Sequence, residues 1–420
     1  MQHYEFPRIE HIDEVRAVLA DAKEFIFAER EWGTVVNYVV AGTDTFPEVK
    51  EDEYWCPGCK LPVNETAGCG SQRCPAPVNM AAVRRECRGL FFDKNGRILS
   101  RPLHKFFNVN ERDETQQRFI DLSESHVILE KLDGSMIRPF LANGNIRWAT
   151  KMGITDVSMQ AEEFVARHPE YEALAKGCFD LGLTPIFEWC SRQQRIVIDY
   201  PTDRLVLIAM RDLRDGTYVL YERLESFGNQ YGIPVVRSYE GTPENMELLI
   251  NETRASEDIE GWIIRFESGH MVKIKGDWYL RIHKTKDKLT FEKDVVEMLL
   301  DEKLDDIKSF MLEDDRRRVE KFENAFWEGI AYQVETYDRY FATVQASVPD
   351  RKTFALNWLP TIQKQDPFAG PIVFGKYNGK DTRTMILDFI RKGTSSQTRI
   401  DEVRSLWNGT KWSYHFDGDA

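Results

Sequence analysis

The chain has 420 residues, more than one hydrophobic core usually serves, and this length predicts two domains. With 42% hydrophobic and 30% charged residues, it reads as an ordinary globular protein and not as a disordered or fibrous one. The formal net charge of -13 excludes sequence-blind binding of nucleic acid over the whole surface and leaves only local basic patches to hold a polyanion.

The amino-terminal run MQHYEFPRIEHIDEV is too polar and acidic for a signal peptide, and no apolar run approaches the roughly 18 residues of a membrane helix. The expected location is the cytoplasm. Next comes CPGCKLPVNETAGCGSQRC, which holds Cys56, Cys59, Cys69 and Cys74. A CxxC pair lets one short turn offer two thiolates to an ion, and a second pair closes a tetrahedron. The spacing predicts a structural Zn2+ knuckle, because a reducing compartment disfavours two disulfides and four protein ligands leave no open position. Cys87, Cys178 and Cys190 lie in apolar contexts and are expected to be core thiols.

From about residue 80 to 285, short β-rich runs follow one another: GLFFD, HVILE, MIRPF, PIFEW, RIVID, RLVLIAM, GWIIRF and MVKIK. Separated by turns and a few helical stretches, they predict an α+β domain with largely antiparallel sheets. HVILEKLDGS carries a strand up to Lys131 and then turns at Gly134, where the lack of a side chain lets backbone approach a ligand. A solvated lysine is a poor nucleophile at neutral pH and becomes useful when burial or nearby cations favour the free amine. Lys273 and Lys275 alternate with Val272 and Ile274, so they share one face of a strand, where they could supply that positive field and hold a phosphate. Glu188 sits in PIFEWC and Glu260 just before the strand GWIIRF. Beyond about residue 290 the pattern changes to long charged amphipathic stretches, which predict a helical carboxy-terminal domain.

KxDG alone is a short pattern that chance produces often. Here KLDGS, FEW, EGWII and VKIK occur in order, and in this the chain resembles the covalent nucleotidyltransferase superfamily of ATP-dependent ligases and messenger-RNA capping enzymes. ECRGLFF, SRPLHKFFNVNE, RIVIDY, KIKGDWY and DRKTFA narrow the resemblance to the bacteriophage RNA ligase 1 family. The resemblance implies an adenylyltransferase domain over residues 1–289 and a helical domain over 290–420 that selects the RNA substrate. It implies that Lys131 takes AMP from ATP, passes it to a 5′-phosphorylated RNA end, and seals that end to a 3′-hydroxyl.

The same resemblance assigns roles by motif position. Arg88 and Lys105 would contact the triphosphate, Phe107 would support the nucleotide pocket, and Lys151 and Tyr38 would be further nucleotide contacts. Lys273 and Lys275 would grip the α-phosphate, with Tyr279 following in the same motif. Glu188 and Glu260 would bind ribose and, with Asp305 or the adjoining Asp306, Mg2+ or Mn2+, since carboxylate oxygens suit a hard cation. The expected partner is single-stranded or nicked RNA, with cleaved tRNA preferred, and the reaction would be RNA repair. A DNA ligase or capping enzyme would continue after the KxK strand into an oligonucleotide-binding barrel, whereas this chain continues with helical periodicity. A non-catalytic RNA-end-binding protein would be expected to have lost a motif lysine or glutamate, and all are present.

Overall fold

The computed structural model describes residues 5–413 apart from 43, 51–53, 57–58, 60, 64–76, 242, 309–310, 312 and 349. The chain forms two compact units, Met1–Leu280 and Arg281–Ala420. The class is α+β, as the sequence predicts.

Three four-stranded sheets organise the first unit. One runs Phe25–Arg30, Gly33–Tyr38, Leu90–Asp93, Ile98–Ser100 in spatial order and is antiparallel throughout. A second runs Asn145–Ala149, Ser135–Ala142, Leu183–Cys190, Arg204–Asp212, also antiparallel. Its outer face is covered by the helices Asp156–Ala166, Pro169–Asp180 and Tyr221–Tyr231, and Trp148, Leu174, Phe187 and Leu207 fill the space between. The third runs Phe107–Asn108, Met271–Lys275, Gly261–Phe266, His126–Lys131; only its Phe107–Asn108 pairing is parallel.

Register in the third sheet decides the function of its faces. Gly261 lies opposite both Lys131 and Lys275, Ile263 opposite Leu129 and Lys273, and Arg265 opposite Val127 and Met271. Side chains alternate along a strand, so these odd-numbered residues share one face. The even-numbered Ile128, Ile264, Val272 and Ile274 form the other, packed on Met246, Leu249 and Ile250 of the helix Met246–Ala255.

A buried ion cluster ties the sheets together. Glu86, at the end of the helix Met80–Glu86, receives Arg101 Nε at 3.0 Å and Arg211 Nη1 and Nη2 at 2.9 Å each, all three side chains being fully buried. Burial alone would raise the carboxyl's pKa, but the two guanidiniums outweigh it and hold it at about 2.

RIVID is not a strand. Residues 191–200 form turns and bends, because the Val197 and Ile198 N–H groups donate to the Asp133 carboxylate at 2.7 Å each rather than to a neighbouring strand. Cys56 is buried and Cys59 exposed, while Cys69 and Cys74 lie outside the described residues. Cys87, Cys178 and Cys190 are fully buried, and burial pushes the last two thiols up to about 12, which fits inert core positions.

In the second unit a 35-residue helix, Glu313–Ser347, presents Val319, Phe322, Phe326 and Ile330 at helical spacing to a core with Ile372, Ile386, Ile390 and Trp407. Among the described residues no helix is long and apolar enough to cross a membrane.

Candidate active site

The lysine-bearing face of the third sheet lines a cavity of about 350 Å³, together with Met136, Glu188, Ile208 and Ala209 of the second. Lys131, Gly134, Glu188, Lys273 and Lys275 meet there, as do Tyr38, Arg88 and Lys105 from the first sheet and the segments around it.

Glu260 is the centre of the arrangement, although its place beside a strand signal does not reveal this. Its buried carboxylate lies 2.8 Å from Lys131 Nζ through Oε2 and 2.8 Å from Lys275 Nζ through Oε1, so one acid bridges both amines. Gly261 must follow it: φ is +149° there, and a Cβ would run into the Ile274 carbonyl. Gly134 is needed for space alone, since a Cβ would collide with the Trp189 carbonyl.

The cations crowd one another. Lys273 is brought down to about 7, first by burial and then by Lys105, Lys131, Arg88 and Lys275. Burial also lowers Lys105, whose Nζ lies over the rings of Phe107 at 5.3 Å, Phe46 at 5.4 Å and Tyr38 at 5.9 Å. Lys151 Nζ donates to Tyr38 Oη at 3.5 Å, and although burial raises the phenol, Arg88, Lys151 and Lys105 bring it below its usual range. Phe107 does not line the cavity. It is a core ring on which Lys105, Arg85 and Arg112 rest.

Burial pushes the Glu188 carboxyl up to about 8 against the pull of Lys131, with Glu260 adding like-charge repulsion. Tyr279 is buried behind Lys275, whose Nζ is 5.0 Å from its ring centroid, and donates to Asp133 Oδ1 at 2.8 Å. Asp133 and Tyr200 are structural supports of the site that sequence reasoning missed. The Asp133 N–H donates to Tyr200 Oη at 3.0 Å while its carboxylate takes Tyr279 and the 197–198 backbone, so the turn after Lys131 is fixed from three directions. Asp133 stands inside KLDGS and Tyr200 inside RIVIDY.

Asp305 belongs to the helical unit, where it is exposed and accepts from Lys308 Nζ at 2.7 Å. Among the described residues no group of three or more His, Cys, Asp or Glu could hold a metal. Of the two carboxyls, Glu188 would be the donor open to a divalent cation, since it forms no ion pair among the described residues, whereas both Glu260 oxygens lie against ammonium groups.

Residues 86–279 match the family model for RNA ligase, and residues 286–394 match the model for the C-terminal domain of T4 RNA ligase 1. A putative RNA ligase of Thermovibrio ammonificans is 36% identical over 208 residues, 48% of this chain and 53% of that protein. RNA ligase 1 of bacteriophage TS2126 is 26% identical over 214 residues, 47% of this chain and 51% of that one. The chain thus spans about half the length of the curated relatives it matches. Among solved structures, an archaeal ATP-dependent RNA ligase aligns with a TM-score of 0.38 and 12% identity, covering 68% of this chain and 64% of that chain.

Proposed function

Since the chain belongs to the RNA ligase 1 family, its two family models lying end to end along it, we propose that it is an ATP-dependent ligase joining 5′-phosphate and 3′-hydroxyl RNA ends. The observation that carries this reading is Lys131 Nζ, 2.8 Å from the buried Glu260 at the wall of a cavity that also collects Arg88, Lys105, Lys273 and Lys275.

In the first step Lys131 Nζ gives up a proton and attacks the α-phosphorus of ATP. A P–N bond forms, the bond to the bridging oxygen breaks, and pyrophosphate leaves. Glu260 Oε2 is the nearest acceptor for that proton. Arg88, Lys105 and Lys273 offset the charge that gathers on the phosphate oxygens, and a fixed cluster does so without reorganising. In the second step an oxygen of the RNA 5′-phosphate attacks the phosphoramide, the P–N bond breaks as Lys131 Nζ takes back a proton from Glu260 and leaves as the amine, and the AMP caps the RNA. In the third a 3′-hydroxyl loses its proton, attacks the capped 5′-phosphate and expels AMP. A divalent cation bound at Glu188 would polarise phosphate oxygens and neutralise charge on them.

The test is incubation with ATP labelled at the α-phosphate, followed by a denaturing gel. Wild type should carry label and Lys131→Ala none; unlabelled wild-type protein, freed of prebound AMP, would sink the ligase reading. Cleaved tRNA is the preferred substrate within this reading, with the helical unit as the part that selects it. The four cysteines complete it as a structural zinc site. Elemental analysis should find one zinc per chain and a loss of it in Cys56→Ser; unchanged metal content in that variant would remove the knuckle.

A further inference from the structure

The cavity has two chemically different ends. Lys131, Gly261 and Lys275 form one cross-strand row; Val127, Arg265 and Met271 form another, four residues along the same face. At ~3.4 Å per residue the second row lies roughly 14 Å from the first, comparable with the reach of a nucleoside monophosphate. Around it the lining turns apolar, with Leu129, Ile208, Val236, Ile263 and Met271.

Arg265 brings a charge to that end of the lining. It is only 5% exposed and lines the cavity, and its Nη2 is buried without a hydrogen-bond partner among the described residues. Its neighbour is the Tyr218 ring at 5.6 Å. Glu222 is near enough to favour its charge, yet the two form no ion pair among the described residues, and burial leaves the guanidinium below its usual pKa. The buried Arg101 and Arg211 show the contrast, since both close on Glu86. A buried cation without an acceptor is costly, so the acceptor that satisfies Arg265 is to be sought in a ligand. A second cavity of about 320 Å³ also touches Arg265, but Glu5, Asp215, Glu222 and Glu267 line it, which disfavours an anionic occupant there.

We propose that Arg265 donates to an acceptor on the far edge of the nucleobase and is a specificity-determining residue of the nucleotide cavity. The proposal rests on the ligase reading above. On that edge adenine offers N1 and N7 to such a donor, N3 lying on the sugar side, and guanine offers the O6 and N7 pair that arginine grips with two bonds.

The test measures half-saturation for Lys131 labelling with ATP and with its 1-deaza, 3-deaza and 7-deaza analogues. In wild type the 1-deaza or the 7-deaza analogue should be about tenfold or more weaker than ATP, the loss of one charged hydrogen bond. That penalty should disappear in Arg265→Met, which binds ATP itself correspondingly weakly, and persist in part in Arg265→Lys. Three analogues that match ATP on wild type overturn the assignment, as does a penalty unchanged in Arg265→Met. If the Met variant fails to fold, Arg265→Lys carries the comparison: a penalty reduced there supports the assignment, and one unchanged overturns it. A wild type that takes no label from ATP overturns the ligase reading instead.

Discussion

Lys273 and Glu188 face the same cavity with pKa values displaced toward each other, to about 7 and about 8, because burial disfavours the charged form of each. For Lys273 the consequence concerns binding: a polyphosphate restores the charge that burial and neighbouring cations suppress. For Glu188 it concerns stability. The folded protein binds this proton more tightly than the unfolded chain, so the contribution is complete below the ordinary carboxyl range near 4.5 and is lost as pH rises through about 8. Glu188→Gln copies the protonated form and should flatten that loss. Thermal unfolding of metal-free protein between pH 5 and pH 9 should show wild type declining more than the variant, by roughly 3 °C or more; parallel curves would mean that the carboxyl is ionised in the fold.

The turn after Lys131 and the loop 191–200 make one structural element from two distant pieces of chain. Asp133 is their joint, with two backbone donors and Tyr279 on one carboxylate. Asp133→Asn puts an amide where an acceptor is needed and should cost about 2 kcal/mol or more in urea unfolding, through buried groups left unpaired. It should also abolish labelling of Lys131, and a variant that labels at the wild-type rate would show that the turn holds without the joint. This element marks the limit of what the sequence discloses. The Val127–Leu129 and Val272–Ile274 strands were legible because alternation and β-branched side chains are local signals. RIVID carries the same local signal and is not a strand, because its N–H groups are claimed by an acid remote in sequence. The grouping of the lysines, Glu188 and Gly134 at one cavity was legible through motif order, whereas the place of Arg265 and the double grip of Glu260 depend on strand register, which no local pattern specifies.

At the scale of the molecule, each unit has its own core and its own buried carboxylate at a junction of segments. In the first unit this is Glu86 between Arg101 and Arg211. In the second it is Glu292, which accepts from Arg404 Nε at 3.1 Å, Gln397 Nε2 at 3.3 Å and the Trp412 N–H at 3.0 Å, and which raises the pKa of Arg404. Glu292 thus fastens the start of the helix Glu292–Leu300 to the end of the described chain. Removing Glu292 leaves Arg404 with Asp401 as its remaining acid and takes an acceptor from the buried Trp412 N–H, at about 1–3 kcal/mol. Glu292→Ala should therefore lower the stability of residues 281–420, seen as faster hydrogen exchange in the Glu313–Ser347 helix, with little change in the three sheets. If AMP transfer to Lys131 belongs to the first unit alone, labelling should stay within about twofold of wild type, as for independent sites. Sealing of RNA ends should fall, because the helical unit is the proposed holder of the RNA. Loss of labelling as complete as in Lys131→Ala would show instead that the helical unit is required for the first chemical step.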